Sequence, residues 1–61
     1  METKTIEKNE KMTVKAVYFS GKFSHTVIYF KGEDGVVEKF IRVYANGAIE
    51  IQQDGKVRII E

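Results

Sequence analysis

Cysteine, proline and leucine are missing from this 61-residue sequence, and each of these absences narrows what the chain can be. Without cysteine, it can form neither a disulfide framework nor a thiolate metal site. Proline is also absent, and the five glycines lie where turns are expected rather than inside apolar runs. Leucine is absent too, so the aliphatic content consists mainly of seven Ile and seven Val. Because β-branched side chains fit a pleated sheet better than a helix, this composition predicts an all-β protein.

Long apolar runs and a strong excess of one charge are missing as well. The longest apolar runs have four residues, as in VIYF at 27–30, which is too short for a membrane span or a signal-peptide core. Ten basic and nine acidic residues give a net charge of +1, far from the strongly basic footprint of non-specific nucleic-acid binders. We therefore expect a soluble, cytoplasmic protein with one domain and a small core.

The first eleven residues, METKTIEKNEK, differ in composition from the rest. They contain three Lys and three Glu, with only Met1 and Ile6 to bury. That is too little apolar surface to offset the entropy of ordering the segment. The sequence therefore predicts a flexible N-terminal arm at 1–11 and a single all-β domain at 12–61.

From Met12 onward, apolar and polar residues alternate and turn residues recur at short intervals, which is typical of an antiparallel meander. Five strands are predicted, at 12–20, 23–31, 36–44, 48–53 and 56–61. The connections are Gly21-Lys22, the segment GEDG at 32–35, Asn46-Gly47 and Asp54-Gly55. The last two favour tight type I′ hairpins, because these residues tolerate positive φ angles.

Two-residue turns fix the register, and the register assigns each residue to one face of the sheet. The predicted core face carries Val14, Ala16, Tyr18, Phe23, Val27, Tyr29, Phe40, Tyr44, Ile49, Ile51 and Ile60, interrupted by His25, Glu38, Arg42 and Arg58. The opposite face is also too apolar to remain in water, since the central strands are apolar on both sides. Curling into a small SH3-like or OB-like barrel buries only one face.

A second copy of the chain packed against that opposite face would bury it, and twofold contact is the commonest form of association among small proteins. An exposed apolar patch otherwise marks a binding site for another molecule. The sequence thus predicts a homodimer, or another protein partner, at a surface formed by Val17, Phe19, Ile28, Phe30, Ile41 and Val43.

The residues that catalysis requires cannot be assembled from this sequence. His25 is the only histidine, and the predicted register places it beside Tyr18 and Arg42 as a hydrogen-bonded structural residue. Zinc would need carboxylates at no recognisable spacing, and neither GEDG nor SGK is followed by a helix that could receive a phosphate. We expect no enzyme activity, no metal and no cofactor.

Two functions therefore remain. The first is a non-catalytic binding module, of inhibitor or adaptor type, that binds another protein through the apolar sheet face or an exposed strand edge, as a homodimer. The alternative is a small nucleic-acid-binding β-barrel that stacks bases on aromatic rings beside basic residues. Its predicted contacts are Lys15, Tyr18, Lys22, Lys39, Arg42 and Arg58. The near-neutral charge and the acidic residues scattered along the same strands place nucleic acid second.

Overall fold

The computed structural model describes all residues from 1 to 61 and contains one antiparallel sheet in which the strands follow chain order. The strands are β1 (Glu2–Lys8), β2 (Met12–Phe19), β3 (Lys22–Lys31), β4 (Val37–Tyr44), β5 (Ile49–Gln53) and β6 (Lys56–Ile60). The all-β meander is confirmed, but the sheet has six strands rather than five. The protein contains no helix that could cross a membrane.

The additional strand is β1, so the segment predicted as a flexible arm is instead paired with β2. Its register runs from Glu2 opposite Tyr18 to Lys8 opposite Thr13, with an irregularity between Thr5 and Glu7. Every side chain of β1 is exposed. The prediction weighed only the apolar surface that side chains could bury, whereas an edge strand is held mainly by backbone hydrogen bonds to its neighbour.

Two of the tight turns are type I′ hairpins. Asp54 (φ 54°) and Gly55 (φ 73°) connect β5 to β6 as predicted, and Gln53 lies opposite Lys56. Ser20 (φ 51°) and Gly21 (φ 78°) connect β2 to β3, one residue earlier than predicted. Positive φ at both central residues matches the right-handed twist of the strands.

The β4–β5 connection differs from the predicted two-residue Asn46-Gly47 turn. Ala45, Asn46 and Gly47 form a three-residue loop, closed by the Tyr44 N–H donating to the Ala48 carbonyl at 2.9 Å and the Gly47 N–H donating to the Tyr44 carbonyl at 3.0 Å. Only Gly47 has positive φ, at 93°. This is the arrangement of a turn followed by a glycine bulge, the next commonest hairpin loop.

The bulge in the β2–β3 hairpin and the three-residue β4–β5 loop change which residues share a face, because a register shift of one residue inverts a strand. A bulge between Val17 and Tyr18 leaves Ser24 without a partner and places Val17 opposite His25. The three-residue loop places Val43, rather than Tyr44, opposite Ile49. The hairpin of β3 and β4 is therefore inverted relative to β2, β5 and β6, and the predicted core face is wrong for those two strands.

We call the two sides of the sheet the apolar face and the mixed face. Within β2 to β6, the register places on the apolar face Met12, Val14, Ala16, Tyr18, Phe23, Thr26, Ile28, Phe30, Lys39, Ile41, Val43, Ile49, Ile51, Gln53, Lys56, Arg58 and Ile60. Within the same strands, it places on the mixed face Thr13, Lys15, Val17, Phe19, Lys22, His25, Val27, Tyr29, Lys31, Val37, Phe40, Arg42, Tyr44, Glu50, Gln52, Val57 and Ile59.

The sheet remains a single open layer and does not close into a barrel. It measures 35 × 24 × 15 Å, and β1 and β6 contact only their sequence neighbours. Only Thr13, Ala16, Val17 and Val27 are buried, all in β2 and β3. Neither face of the sheet is covered by another part of the chain.

Candidate functional surfaces

The residues predicted as a protein interface do not lie on one surface. Ile28 and Phe30 of β3 share the apolar face with Ile41 and Val43 of β4. Val17 and Phe19 of β2 are on the mixed face, because the bulge after Val17 shifts β3 by one residue relative to β2 and so inverts β3 and β4. On the apolar face, β2 instead contributes Val14 and Ala16, which lie on the same side of the sheet as Ile28.

The residues predicted as nucleic-acid contacts are also divided between the two faces. Lys15, Lys22 and Arg42 are on the mixed face, where Lys22 lies opposite Phe19. Tyr18, Lys39 and Arg58 are on the apolar face. Lys39 places its ammonium 5.1 Å from the centre of the Phe30 ring. This predicted nucleic-acid contact therefore covers an apolar side chain.

One row of residues crosses the apolar face through all six strands. In order from β1 to β6, this central row consists of Glu7, Val14, Ile28, Ile41, Ile51 and Arg58. Four aliphatic side chains thus lie side by side, with an acidic residue at one end and a basic residue at the other. The next row consists of Lys4, Ala16, Thr26, Val43, Ile49 and Ile60, and its centre is free of charge as well.

Charged residues of opposite sign border the apolar face on its two edge strands. On β1 the register places Glu2 and Glu7 on this side, with Lys4 between them at 4.0 Å from the Glu2 carboxylate. On β6 the same side carries Lys56 and Arg58. An apolar centre with a charged rim is the usual composition of a protein–protein interface.

A hydrogen-bonded network around Glu50 occupies the β4–β5 side of the mixed face. Its carboxylate accepts hydrogen bonds from the Arg42 guanidinium at 3.1 Å, the Tyr44 hydroxyl at 2.9 Å and the Gln52 amide at 2.6 Å. Arg42 also stacks over the Phe40 ring at 4.8 Å. Arg42 is thus committed to Glu50, which weakens its candidacy as a nucleic-acid contact.

The same network changes two pKa values. Hydrogen bonds from Gln52 and Tyr44, together with the charge of Arg42, hold the pKa of Glu50 below its ordinary value of 4.5. The hydrogen bond to Glu50, desolvation and the charge of that carboxylate raise the pKa of Tyr44 above 10.0. Both shifts favour a charged Glu50 and a neutral Tyr44 at physiological pH.

His25 has partners other than those predicted. Its Nδ1 lies 2.9 Å from the Ser24 hydroxyl, and its ring lies 5.3 Å from the ring of Tyr44, its cross-strand neighbour. Tyr18, the predicted neighbour, is on the other face and packs edge-on against Phe23. No group of three or more acidic or histidine side chains lies close enough to hold a metal ion.

Two shallow clefts adjoin each other on the mixed face and share Lys15 and Tyr29. The first has a volume of about 430 Å³, and its lining includes Phe19, His25, Val27, Arg42 and Tyr44. The second, of about 360 Å³, is lined by Thr5, Lys8, Thr13, Lys31 and Val37 beside the shared pair. No carboxylate lines either cleft.

Sequence reasoning missed Lys8 as a member of this basic surface, which also includes Lys31. Lys8 fell within the predicted arm, and its position opposite Thr13 depends on β1 being a strand. Lys31 ends β3, and its ammonium donates to the Asn9 carbonyl at 3.3 Å. The available signal was the alternation of threonine and charged residues in ETKTIEK, which is compatible with an edge strand.

Comparisons with protein-family models, curated proteins and solved structures found no match to this chain. Function must therefore be inferred from the residues of the two faces.

Proposed function

We propose that this protein is a non-catalytic binding module that acts through its apolar face, and that this face is covered by a second copy of the chain. The observation that carries the proposal is the central row, in which four adjacent aliphatic residues lie on one side of an uncovered single-layer sheet. An apolar surface of this extent is unfavourable in water and favours association.

The size of the face supports a stable dimer. The overall extents of 35 × 24 Å limit one side of the sheet to at most about 840 Å². A standard protein–protein interface buries roughly 800 Å² per partner. Two such sheets packed face to face, about 10 Å apart, would have the arrangement of a β-sandwich.

The charged rim selects one orientation of the twofold axis. With the axis parallel to the strands and through the middle of the central row, Ile28 of one copy meets Ile41 of the other and Val14 meets Ile51. Glu7 of each copy then lies over Arg58 of its partner. An axis across the strands would instead place β1 over β1 and bring like charges together, which is unfavourable.

Substitution at the centre of the row tests the interface. Ile41→Asp places an unpaired carboxylate in a dry contact, at a cost of several kcal/mol, so the variant should sediment as a monomer or unfold. The matched control is Ile59→Asp, because Ile59 is on the mixed face and 63% exposed. Sedimentation equilibrium should give a dimer for the unmodified chain and for the control.

A charge exchange at the rim tests the orientation without disturbing the fold, since Glu7 and Arg58 are both exposed. Arg58→Glu should raise the dimer dissociation constant on the order of tenfold at low salt, because two rim pairs become repulsive. Adding Glu7→Arg in the same chain should return the dimer dissociation constant to that of the unmodified chain. A double variant as weak as the single one would refute the proposed axis, and a monomeric unmodified chain would refute the dimer.

A further inference from the structure

The mixed face carries a second surface that the dimer leaves in solvent. Its two adjoining clefts bring together Lys8, Lys15 and Lys31, with His25 at one end. Aromatic rings lie between these groups: Tyr29 is shared by both clefts, and Phe19 and Tyr44 line the first. Phe19, at the end of β2, is 49% exposed.

The charge of this surface is more positive than the net charge of the chain indicates. The acidic residues of β1, Glu2 and Glu7, are on the apolar face. Glu50 is on the mixed face, but its carboxylate is paired with Arg42 and hydrogen-bonded twice more. The acidic side chains that the sequence scatters along the strands are therefore removed from the clefts or neutralised.

An acidic loop limits this surface at one end. Lys31 lies at the boundary, since it also borders Glu33, Asp34 and Glu38 across the β3–β4 loop. Anionic ligands are repelled there, so the favourable path runs from Lys31 past Tyr29 and Lys15 towards Phe19 at the other end of the sheet. Along this shallow groove the cations alternate with the half-buried ring of Tyr29 and the exposed ring of Phe19.

From this arrangement we propose that the mixed face binds single-stranded nucleic acid, with Lys8, Lys15 and Lys31 contacting phosphates and Phe19 and Tyr29 stacking against bases. A polymer that is anionic and carries aromatic faces matches both kinds of group, whereas an anionic polysaccharide or a bare phosphate would use only the lysines. A flat open groove admits unpaired bases, which a duplex keeps inside its stack.

The test is a fluorescence-anisotropy titration of the full chain with a labelled thymidine oligomer of about 12 nucleotides, within the site sizes of small single-strand-binding modules. Binding at about 50 mM salt should weaken as salt rises, with a logarithmic slope of roughly −2 for three phosphate contacts. Lys8→Ala and Lys15→Ala should each reduce that slope by about 0.7. Phe19→Ala should weaken binding about tenfold or more through the loss of one stacked base.

The matched control is Lys56→Ala, which removes one positive charge from the exposed first residue of β6, on the apolar side of the sheet. Its affinity should equal that of the unmodified chain. An abasic oligomer with the same number of phosphates loses both stacked bases and should bind about a hundredfold more weakly, and a duplex should compete poorly. Absence of binding at about 50 mM salt would overturn the proposal. The proposal would also be overturned if the abasic oligomer bound as tightly as the thymidine oligomer. The same holds if Lys56→Ala and Lys15→Ala reduced the affinity for the thymidine oligomer equally.

Discussion

At the scale of single residues, Glu50 has the most polar partners of any side chain in this sheet. Three donors from β4 and β5 surround its carboxylate, whose side chain is only 14% exposed. A partly desolvated carboxylate is stable only when its hydrogen bonds are satisfied. Because Arg42 and Tyr44 precede the β4–β5 loop and Glu50 and Gln52 follow it, the network also holds the register of that hairpin.

This network predicts a specific pH dependence. The folded pKa of Glu50 lies below 4.5, so the stability that it contributes is complete above about pH 4.5 and is lost as the pH falls through the folded value. The folded pKa of Tyr44 lies above 10.0, so its contribution is complete below about pH 10 and is lost as the pH rises beyond it.

Glu50→Gln should therefore lower the urea midpoint at pH 7, and the difference from the unmodified chain should shrink as the pH falls below 4.5. Glu33→Gln, in the exposed β3–β4 loop, is the control and should leave the midpoint unchanged. Urea unfolding followed by circular dichroism at several pH values measures both. A constant difference between Glu50→Gln and the unmodified chain at all pH values would contradict this account.

At the scale of the elements, the loops decide the character of the two faces. Gly47 needs its positive φ to form the three-residue loop, and a Cβ added there would meet nothing within 4 Å. The effect of a substitution is thus confined to backbone strain. Gly47→Ala should destabilise the sheet by about 1 kcal/mol, whereas Gly47→Asn should cost less, because asparagine tolerates the left-handed region. Equal losses in the two variants, measured by urea unfolding, would argue against strain.

The edge strands should differ from the centre in local stability. All side chains of β1 and β6 are exposed, while the buried residues belong to β2 and β3. In hydrogen exchange, amides of β3 should exchange slowest and those of β1 and β6 faster, yet β1 should remain slower than the β3–β4 loop. If the amides of β1 exchanged at the rate of an unstructured chain, the first eleven residues would form the flexible arm that their composition predicts and not a strand.

The alternation and turn chemistry of the sequence predict the meander, and they place Asp54-Gly55 correctly. They do not predict the faces, because Asn46-Gly47 is compatible with a two-residue or a three-residue loop and Ser20-Gly21 with either of two registers. Each ambiguity corresponds to a register shift of one residue. A shift of that size moves Ile28 or Ile49 to the other side of the sheet. The surfaces therefore depend on bulges that leave no clear composition signal, and the central row and the basic clefts appear only once all six strands are in register.

At the scale of the whole molecule, the protein is one sheet with two unlike sides. The chain offers no helix or second sheet to cover the apolar face, and a single layer of 61 residues buries few side chains. A second copy would provide the missing layer, with the mixed face outward on both sides. The proposed dimer and the proposed nucleic-acid surface are then compatible, since they would use opposite faces of the same strands.

The most direct test of this account is an isotope-filtered nuclear Overhauser spectrum of a sample that mixes labelled and unlabelled chains. The account predicts intermolecular contacts between the methyl groups of Ile28 and Ile41 and between those of Val14 and Ile51, with none to Ile59 on the mixed face. A spectrum without intermolecular contacts at millimolar concentration, or one whose contacts involve Val57 and Ile59 instead, would contradict it.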